Sequence, residues 1–152
     1  MGCGFSEDEI MIRAMQEADL AGVADIWLDT NLKAHHFISP QYWRDNFQYL
    51  RELLPQAEVY VWEDESTHRI VGFIGLNGEY ISGIFVQSSA QSGGIGKKLL
   101  DYVKGIKPRL TLHVYQKNSR AVTFYQREGF CIQGEHTDDN TGETEYLMKW
   151  GL

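Results

Sequence analysis

The chain has 152 residues and a formal net charge of −7, from 14 basic and 21 acidic side chains. This length suits one domain and leaves no room for two of ordinary size. The acidic balance argues against a nucleic-acid-binding protein, because phosphate backbones attract clustered Lys and Arg. The two cysteines, Cys3 and Cys131, form neither a disulfide framework nor a zinc-finger spacing, which favours a reducing, cytoplasmic location. No apolar run approaches the roughly 18 residues that a membrane span needs.

The first part of the chain predicts a strand, two helices and a three-stranded antiparallel meander. Pro40, directly after Ser39, marks the start of the second helix, and Asn77-Gly78 is a strong hairpin signal. In chain order the elements are a strand at 11–15, helices at 18–30 and 40–54, and strands at 58–63, 69–76 and 79–86. Residues 1–10 are expected to be a flexible extension, and residues 11–152 a single domain.

In the second part, strands alternate with helices. The predicted elements are a helix at 95–105, a strand at 110–114, a helix at 121–128, and strands at 130–136 and 145–150. A strand–helix–strand unit implies a right-handed crossover between parallel strands. The fold class is therefore α/β (α+β), with a mixed, mostly antiparallel sheet of about seven strands and about four helices.

The segment from Val86 to Gly96, V-Q-S-S-A-Q-S-G-G-I-G, runs from a strand through a glycine-rich loop directly into a helix. Glycines allow the backbone to approach a ligand closely, and the free N–H groups of a helix N-terminus attract phosphate. The segment fits neither the P-loop pattern nor the dinucleotide-binding fingerprint. It is a candidate site for a phosphate or pyrophosphate, although a flexible turn before a helix would look similar.

A second segment, which follows the strand predicted at 110–114, indicates which kind of ligand the glycine-rich loop would bind. Asn118 begins the run N-S-R-A-V-T-F-Y-Q-R-E-G-F, which ends at Phe130. With Gln91–Gly96, it resembles the two motifs of the GNAT superfamily of N-acetyltransferases, [QR]-x-x-G-x-[GA] and N-x-x-A-x-x-[FL]-Y-x-x-x-G-F. Phrases such as Tyr42-Trp43-Arg44-Asp45 look like the small bacterial YiaC-type enzymes of this superfamily, which acetylate protein lysines. The resemblance covers nearly the whole chain and implies the GNAT fold, with splayed central parallel strands.

The resemblance also implies an acetyl-CoA site in the gap between the strands at 80–86 and 110–114. Splayed strands leave backbone groups unpaired, and the pantetheine amides of the cofactor can pair with them. Backbone groups of the first strand, the loop with its helix N-terminus, and an asparagine would share the contacts. The implied acetyl-CoA-binding residues are Ile84, Phe85, Val86, Gln91, Ser92, Gly93, Gly94, Ile95, Gly96, Lys97, Asn118 and Tyr125.

Catalysis needs a neutral amine, stabilisation of the developing oxyanion and a proton for the leaving thiolate. Tyr125 matches the general acid of the family, although its position also suits a core aromatic residue. His113 stands where several relatives carry a glutamate, and it is the first candidate for the base, with a packed or solvated histidine as the alternative. Glu79 is the second candidate, unless it is only a turn carboxylate. A water chain without a dedicated base is also open.

Substrate-side candidates are His35, Phe37 and Tyr80, because the region between the first two helices lines the acceptor groove in this fold. The pair His35-His36 lacks the spacing of a metal site, so no metal is expected. Trp27, Trp43 and Trp62 are more simply read as core residues than as ligand platforms.

The predicted function is acetyl-CoA-dependent transfer of an acetyl group to an amine by direct attack, with protein lysine as the leading acceptor. The alternatives are a small-amine N-acetyltransferase and a non-catalytic acyl-CoA-binding module. The expected partners are acetyl-CoA and the amine or protein-lysine acceptor, with no nucleic acid and no membrane. The chain is expected to be a monomer or a weak homodimer.

Overall fold

A computed structural model describes residues 11–91 and 93–151, so the predicted extension at 1–10 lies outside the described residues. The described part contains seven strands and four α-helices, as predicted for the GNAT fold. In chain order these are β1 (Ile12–Ala14), α1 (Leu20–Ala34), α2 (Pro40–Leu53), β2 (Glu58–Glu63), β3 (Ile70–Asn77), β4 (Tyr80–Val86), α3 (Ile95–Lys104), β5 (Arg109–Tyr115), α4 (Ser119–Arg127), β6 (Cys131–Thr137) and β7 (Thr144–Gly151).

The seven strands form one sheet in the order β1-β2-β3-β4-β5-β7-β6. Strands β1 to β4 pair antiparallel with their neighbours, and so do β5, β7 and β6. The single parallel pair among the described strands is β4 with β5. Helix α3 provides the crossover between these two strands, which is the connection that the strand–helix–strand pattern predicted.

Helix α1 extends beyond its predicted end at Thr30 and continues to Ala34. Thr30 Oγ1 donates to the carbonyl of Ile26 at 2.7 Å, and Asn31 Nδ2 donates to the carbonyl of Trp27 at 2.9 Å. Both polar side chains are buried. Because their hydrogen bonds are made within the helix, they continue it where the sequence pattern suggested a break.

Helix α2 begins after Ser39 and ends just before Pro55, close to the bounds predicted from the sequence. Ser39 Oγ accepts a hydrogen bond from the Gln41 backbone N–H at 3.3 Å, and Pro40 occupies the first helical position. After Leu53 the chain makes one 3₁₀ turn over Leu54–Gln56 before β2. The serine cap and the 3₁₀ turn therefore set the two ends of α2.

Helices cover both faces of the sheet and produce two large cores, beside a smaller cluster of Ile38, Trp43 and Tyr115. Neighbouring residues of β2 and β3 alternate between the two large cores: Val61 and Phe73 face α1, while Trp62 and Ile74 face α3. The alternation is the normal period of two in a strand. The larger core, around α3, also contains Tyr125 of α4.

Strand β4 contains one extra residue relative to β3. Gly75 pairs with Gly83, but Leu76 pairs with Ile81, so Ser82 has no partner in the register. This is a β-bulge, a feature that bends a strand and often lies beside functional sites. It lies directly after Ile81, the last residue of β4 that pairs with β5.

Candidate active site

Strands β4 and β5 separate shortly after they begin. Their register consists of two pairs, Tyr80 with Thr111 and Ile81 with Leu112. Beyond these pairs a cleft of about 320 Å³ opens, and the side chains that line it come from the sheet and from α1, α2 and α4. The splayed parallel strands predicted from the family resemblance are therefore present.

The open edge of β4 forms one side of this cleft. Ile84, Phe85 and Val86 line it, and the register gives them partners on β3 but none on β5. Backbone groups on such an edge need hydrogen-bond partners from outside the sheet. The edge suits the pantetheine amides of acetyl-CoA, which is the role predicted for these three residues.

The glycine-rich loop follows β4 at the end of the cleft. Gln91 Nε2 donates to the Val86 carbonyl at 2.8 Å and ties the loop to the strand. Gly94 has φ +80°, a left-handed conformation that L-residues with side chains rarely adopt, and α3 starts directly after it. The N-terminus of α3 therefore begins immediately beyond the open strand edge, an arrangement that suits a pyrophosphate.

The other loop residues predicted to bind acetyl-CoA lie at different positions around the start of α3. Gly93, Ile95 and Gly96 lie at the start of α3, and a Cβ on Gly96 would meet Phe124 and Val86 at 3.8 Å. Ser92 lies outside the described residues. Arg120 Nη1 donates to Gln91 Oε1 at 3.3 Å, so a cationic side chain that the sequence reasoning did not select lies beside the loop.

Lys97 points toward carboxylates. Its Nζ lies 3.1 Å from Glu128 Oε1 and 3.1 Å from Asp101 Oδ2. These hydrogen bonds, first that of Glu128, raise the pKa of Lys97. With its charge shared by two carboxylates, Lys97 is less suited to a pyrophosphate than the backbone of the loop.

Tyr125, the predicted general acid, lines the cleft from α4 and is 8% exposed. Burial, and secondarily the nearby Tyr80, raise the pKa of its phenol above the ordinary value of 10.0. The phenol is therefore protonated at neutral pH. A proton donor in this place can serve a thiolate that leaves within the cleft.

Tyr80 and His113 face each other across the strands where β4 and β5 are still paired. Tyr80 Oη lies 2.9 Å from His113 Nδ1, and both residues line the cleft. Burial also raises the pKa of Tyr80, so its hydroxyl is neutral and available for this hydrogen bond. The structure thus brings a predicted base and a predicted substrate residue into contact.

Asn118 links the two sides of the cleft. Its Oδ1 accepts from the Ala121 backbone N–H at 3.3 Å and caps α4, while its Nδ2 lies 3.3 Å from His35 Nε2. Burial lowers the pKa of His35 to about 4. The imidazole is therefore neutral at neutral pH and can accept the amide hydrogen at Nε2.

Two residues predicted for catalysis or acceptor binding, Glu79 and Phe37, do not line the cleft. Glu79 Oε1 accepts from Arg109 Nε at 2.9 Å, before the start of β4. Phe37 packs against the ring of Tyr115, with centroids 5.8 Å apart, and Lys117 Nζ lies 5.7 Å from its centroid. Phe37 thus contacts the cleft through Tyr115, and the roles of both residues stay predictions.

Several residues that line the cleft were not selected as ligand contacts from the sequence, among them Trp27, Trp43 and Glu145. Trp27 and Trp43 were interpreted as core residues; they pack edge to face at 5.7 Å and also form a wall of the cleft. Glu145 of β7 reaches the cleft because β7 pairs with β5. No local pattern marks these positions as cleft residues, since only the tertiary structure brings them together.

No helix in the described part of the chain is both long and apolar enough to cross a membrane. This agrees with the absence of a long apolar run in the sequence.

The comparisons with known proteins agree with this geometry. The family described as "Acetyltransferase (GNAT) domain" matches residues 55–132. The chain is 37% identical over 142 residues to the peptidyl-lysine N-acetyltransferase YiaC of Escherichia coli, covering 92% of this chain and 96% of that one. The solution structure of apo-form YjaB from Escherichia coli superposes with a TM-score of 0.82 at 26% identity, covering 93% and 97% of the two chains.

A third similarity concerns the cofactor. A streptothricin acetyltransferase of Bacillus anthracis, solved in complex with acetyl coenzyme A, matches with a TM-score of 0.56 at 25% identity, over 63% of this chain and 62% of that one. The predicted family and fold are thereby confirmed. The chain belongs to the GNAT family of acetyltransferases.

Proposed function

We propose that the protein transfers the acetyl group of acetyl-CoA to the ε-amine of lysine in proteins. The main supporting observation is the cleft itself, which opens where β4 parts from β5 and is lined by Tyr125. The similarity to YiaC, a peptidyl-lysine N-acetyltransferase, over most of both chains supports lysine as the acceptor.

The donor would lie along the open edge of β4. Backbone groups of Ile84 to Val86 would hold the pantetheine, and the start of α3 after Gly94 would receive the pyrophosphate. These contacts do not depend on net charge, which matters because both the donor and the protein carry negative charge. Asn118 would help to fix the donor from the other side of the cleft.

The acceptor would enter from the side of α1, Tyr80 and His113. An ammonium has no lone pair, so the lysine must lose a proton before it attacks the thioester carbonyl. A backbone N–H on the open edge of β4 is suited to the oxygen that gains negative charge. The neutral phenol of Tyr125 would give its proton to the departing sulfur.

The test is release of free thiol from acetyl-CoA in the presence of different acceptors. We expect turnover with a lysine peptide, and none above background with the same peptide carrying arginine in place of lysine. Spermidine and free lysine serve as small-amine acceptors. A higher kcat/KM for either small amine than for the peptide would favour a small-amine acetyltransferase. Absence of turnover with every acceptor tested would contradict the proposal.

A further inference from the structure

Four titratable side chains lie together beside the start of the cleft, one from each of four strands. Tyr80 of β4 contacts His113 of β5, with Oη and Nδ1 2.9 Å apart. The rings of His113 and His136 of β6 meet edge to face, with centroids 4.8 Å apart. His136 Nε2 lies 3.2 Å from Glu145 Oε1 of β7. The group forms a continuous chain of contacts from the cleft to the sheet surface.

Glu145 has an unusual position within this group. Its side chain is 17% exposed, lines the cleft, and lies opposite His136 in the register of β6 and β7. A carboxylate in such a site needs a cationic or hydrogen-bonding partner to offset its lost hydration. His136, by contrast, is 48% exposed and joins Glu145 to solvent.

The other candidate bases are less well placed to receive the amine. His113 Nδ1 is engaged by Tyr80, and Glu79 does not line the cleft and contacts Arg109. Glu145 carries a negative charge opposite to that of a lysine ammonium. A partly buried carboxylate attracts an ammonium more strongly than a neutral imidazole does, because the low local dielectric strengthens the attraction.

We propose that Glu145 binds the ammonium of the acceptor lysine and takes the proton that this ammonium must lose. The inference rests on the proposed function and names a further residue for it. Burial raises the pKa of Glu145 and the negative charge of Asp138 adds to this, while His113 and His136 act in the opposite direction. A carboxylate with a raised pKa is a better proton acceptor near neutral pH.

The proton balance is complete with these groups. The lysine nitrogen loses two protons overall as the C–N bond forms and the thioester C–S bond breaks. One proton goes to Glu145 and leaves to solvent through His136. The other replaces the proton that Tyr125 gives to the sulfur, so the products are the acetylated lysine, free CoA thiol and one released proton.

The test compares Glu145→Gln with Glu143→Gln, a matched control two residues earlier, in the turn that leads into β7. Glu143 Oε1 lies 3.0 Å from Lys117 Nζ, and the residue does not line the cleft. We expect Glu145→Gln to lower kcat/KM for a lysine peptide about 100-fold, with the Kd of acetyl-CoA unchanged. Glu143→Gln should stay within about twofold of wild type.

The pH profile separates proton transfer from a structural effect. Because Glu145 must be ionised, kcat/KM of the wild type should fall as pH falls through its pKa, and this acidic limb should disappear in Glu145→Gln. Asp138, His113, His136, Tyr80 and Tyr42 also face this region. Loss of the limb in His113→Ala but not in Glu145→Gln would overturn the proposal and assign the base to His113.

Two further outcomes are distinguishable. If wild type does not acetylate the peptide, the proposed function fails independently of Glu145. If wild type is active and Glu145→Gln matches Glu143→Gln, the proposed role of Glu145 is wrong. Should Glu145→Gln fail to fold, Glu145→Asp keeps the carboxylate: a reduced kcat with the acidic limb retained supports the role, and an unchanged kcat contradicts it.

Discussion

His35 and Asn118, 83 positions apart in the sequence, lie within hydrogen-bond distance, with Nε2 and Nδ2 separated by 3.3 Å. The contact joins the C-terminus of α1 to the N-cap of α4. Since Asn118 Oδ1 is committed to capping α4, its Nδ2 must donate, so His35 Nε2 accepts and Nδ1 carries the hydrogen. That Nδ1 is buried without a hydrogen-bond partner. The link therefore requires a neutral His35.

The stability of the protein should consequently depend on pH through His35. Burial lowers its folded-state pKa from 6.5 to about 4. The unfolded chain thus takes up a proton at higher pH than the folded chain. The contribution is complete above about pH 6.5 and is lost as pH falls toward 4, by on the order of 2–3 kcal/mol.

Urea unfolding of wild type and His35→Gln at about pH 7 and about pH 4.5 measures this effect. We expect the stability of wild type to fall more steeply than that of His35→Gln, since the carboxylates titrate in both proteins and cancel in the difference. Parallel losses of stability in the two proteins would contradict the assignment of a neutral, buried His35.

Tyr125→Phe should separate chemistry from binding. The substitution removes the phenolic hydroxyl, so the ring still packs in the core but the proton donor for the thiolate is lost. We expect kcat to fall about 100-fold, while the Kd of acetyl-CoA, measured by calorimetry, stays within about twofold. An unchanged kcat would exclude Tyr125 from proton transfer, and an equal loss of binding would indicate a structural role.

Gly94→Ala tests the loop before α3. Gly94 and Gly78 both have positive φ, +80° and +63°, and a Cβ on either would meet no atom closer than 4.0 Å. Alanine at each position should therefore cost a similar strain of about 1–2 kcal/mol. We expect Gly94→Ala alone to weaken acetyl-CoA binding, by about tenfold. Equal Kd values for the two variants would remove the loop from the donor site.

The acidic surplus of the chain should matter for the acceptor. Salt screens exposed charges, and the Debye length falls from about 10 Å at 0.1 M to about 3 Å at 1 M. We expect the KM for a lysine peptide to rise severalfold over this range, while the KM for acetyl-CoA does not rise. A salt-independent KM for the peptide would leave the charge of −7 without a role in acceptor binding.

The order and bounds of the strands and helices could be read from the sequence almost throughout, because prolines, glycines and apolar periodicity act locally. The cleft residues on motif segments, such as Asn118 and Tyr125, could be found for the same reason. Glu145 could not, since its place depends on the pairing of β7 with β5, which no local pattern records. The role of Glu79 stays a prediction, and no local pattern records its contact with Arg109, 30 residues away.

The bulge at Ser82 interrupts the regular alternation of side chains along β4. Ile81 and Ile84, three positions apart, both contact the core around α3, whereas Phe85 stacks on Phe73 in the core around α1. With strict alternation, Ile81 and Phe85 would share one side. Without Ser82, Ile84 would stand two positions from Ile81, so strict alternation would keep Ile84 and Phe85 on their present sides. The inserted residue therefore contributes the bend of β4 where this strand leaves β5. A strand shortened by this residue should accordingly keep its packing in both cores and lose the bend beside the donor edge.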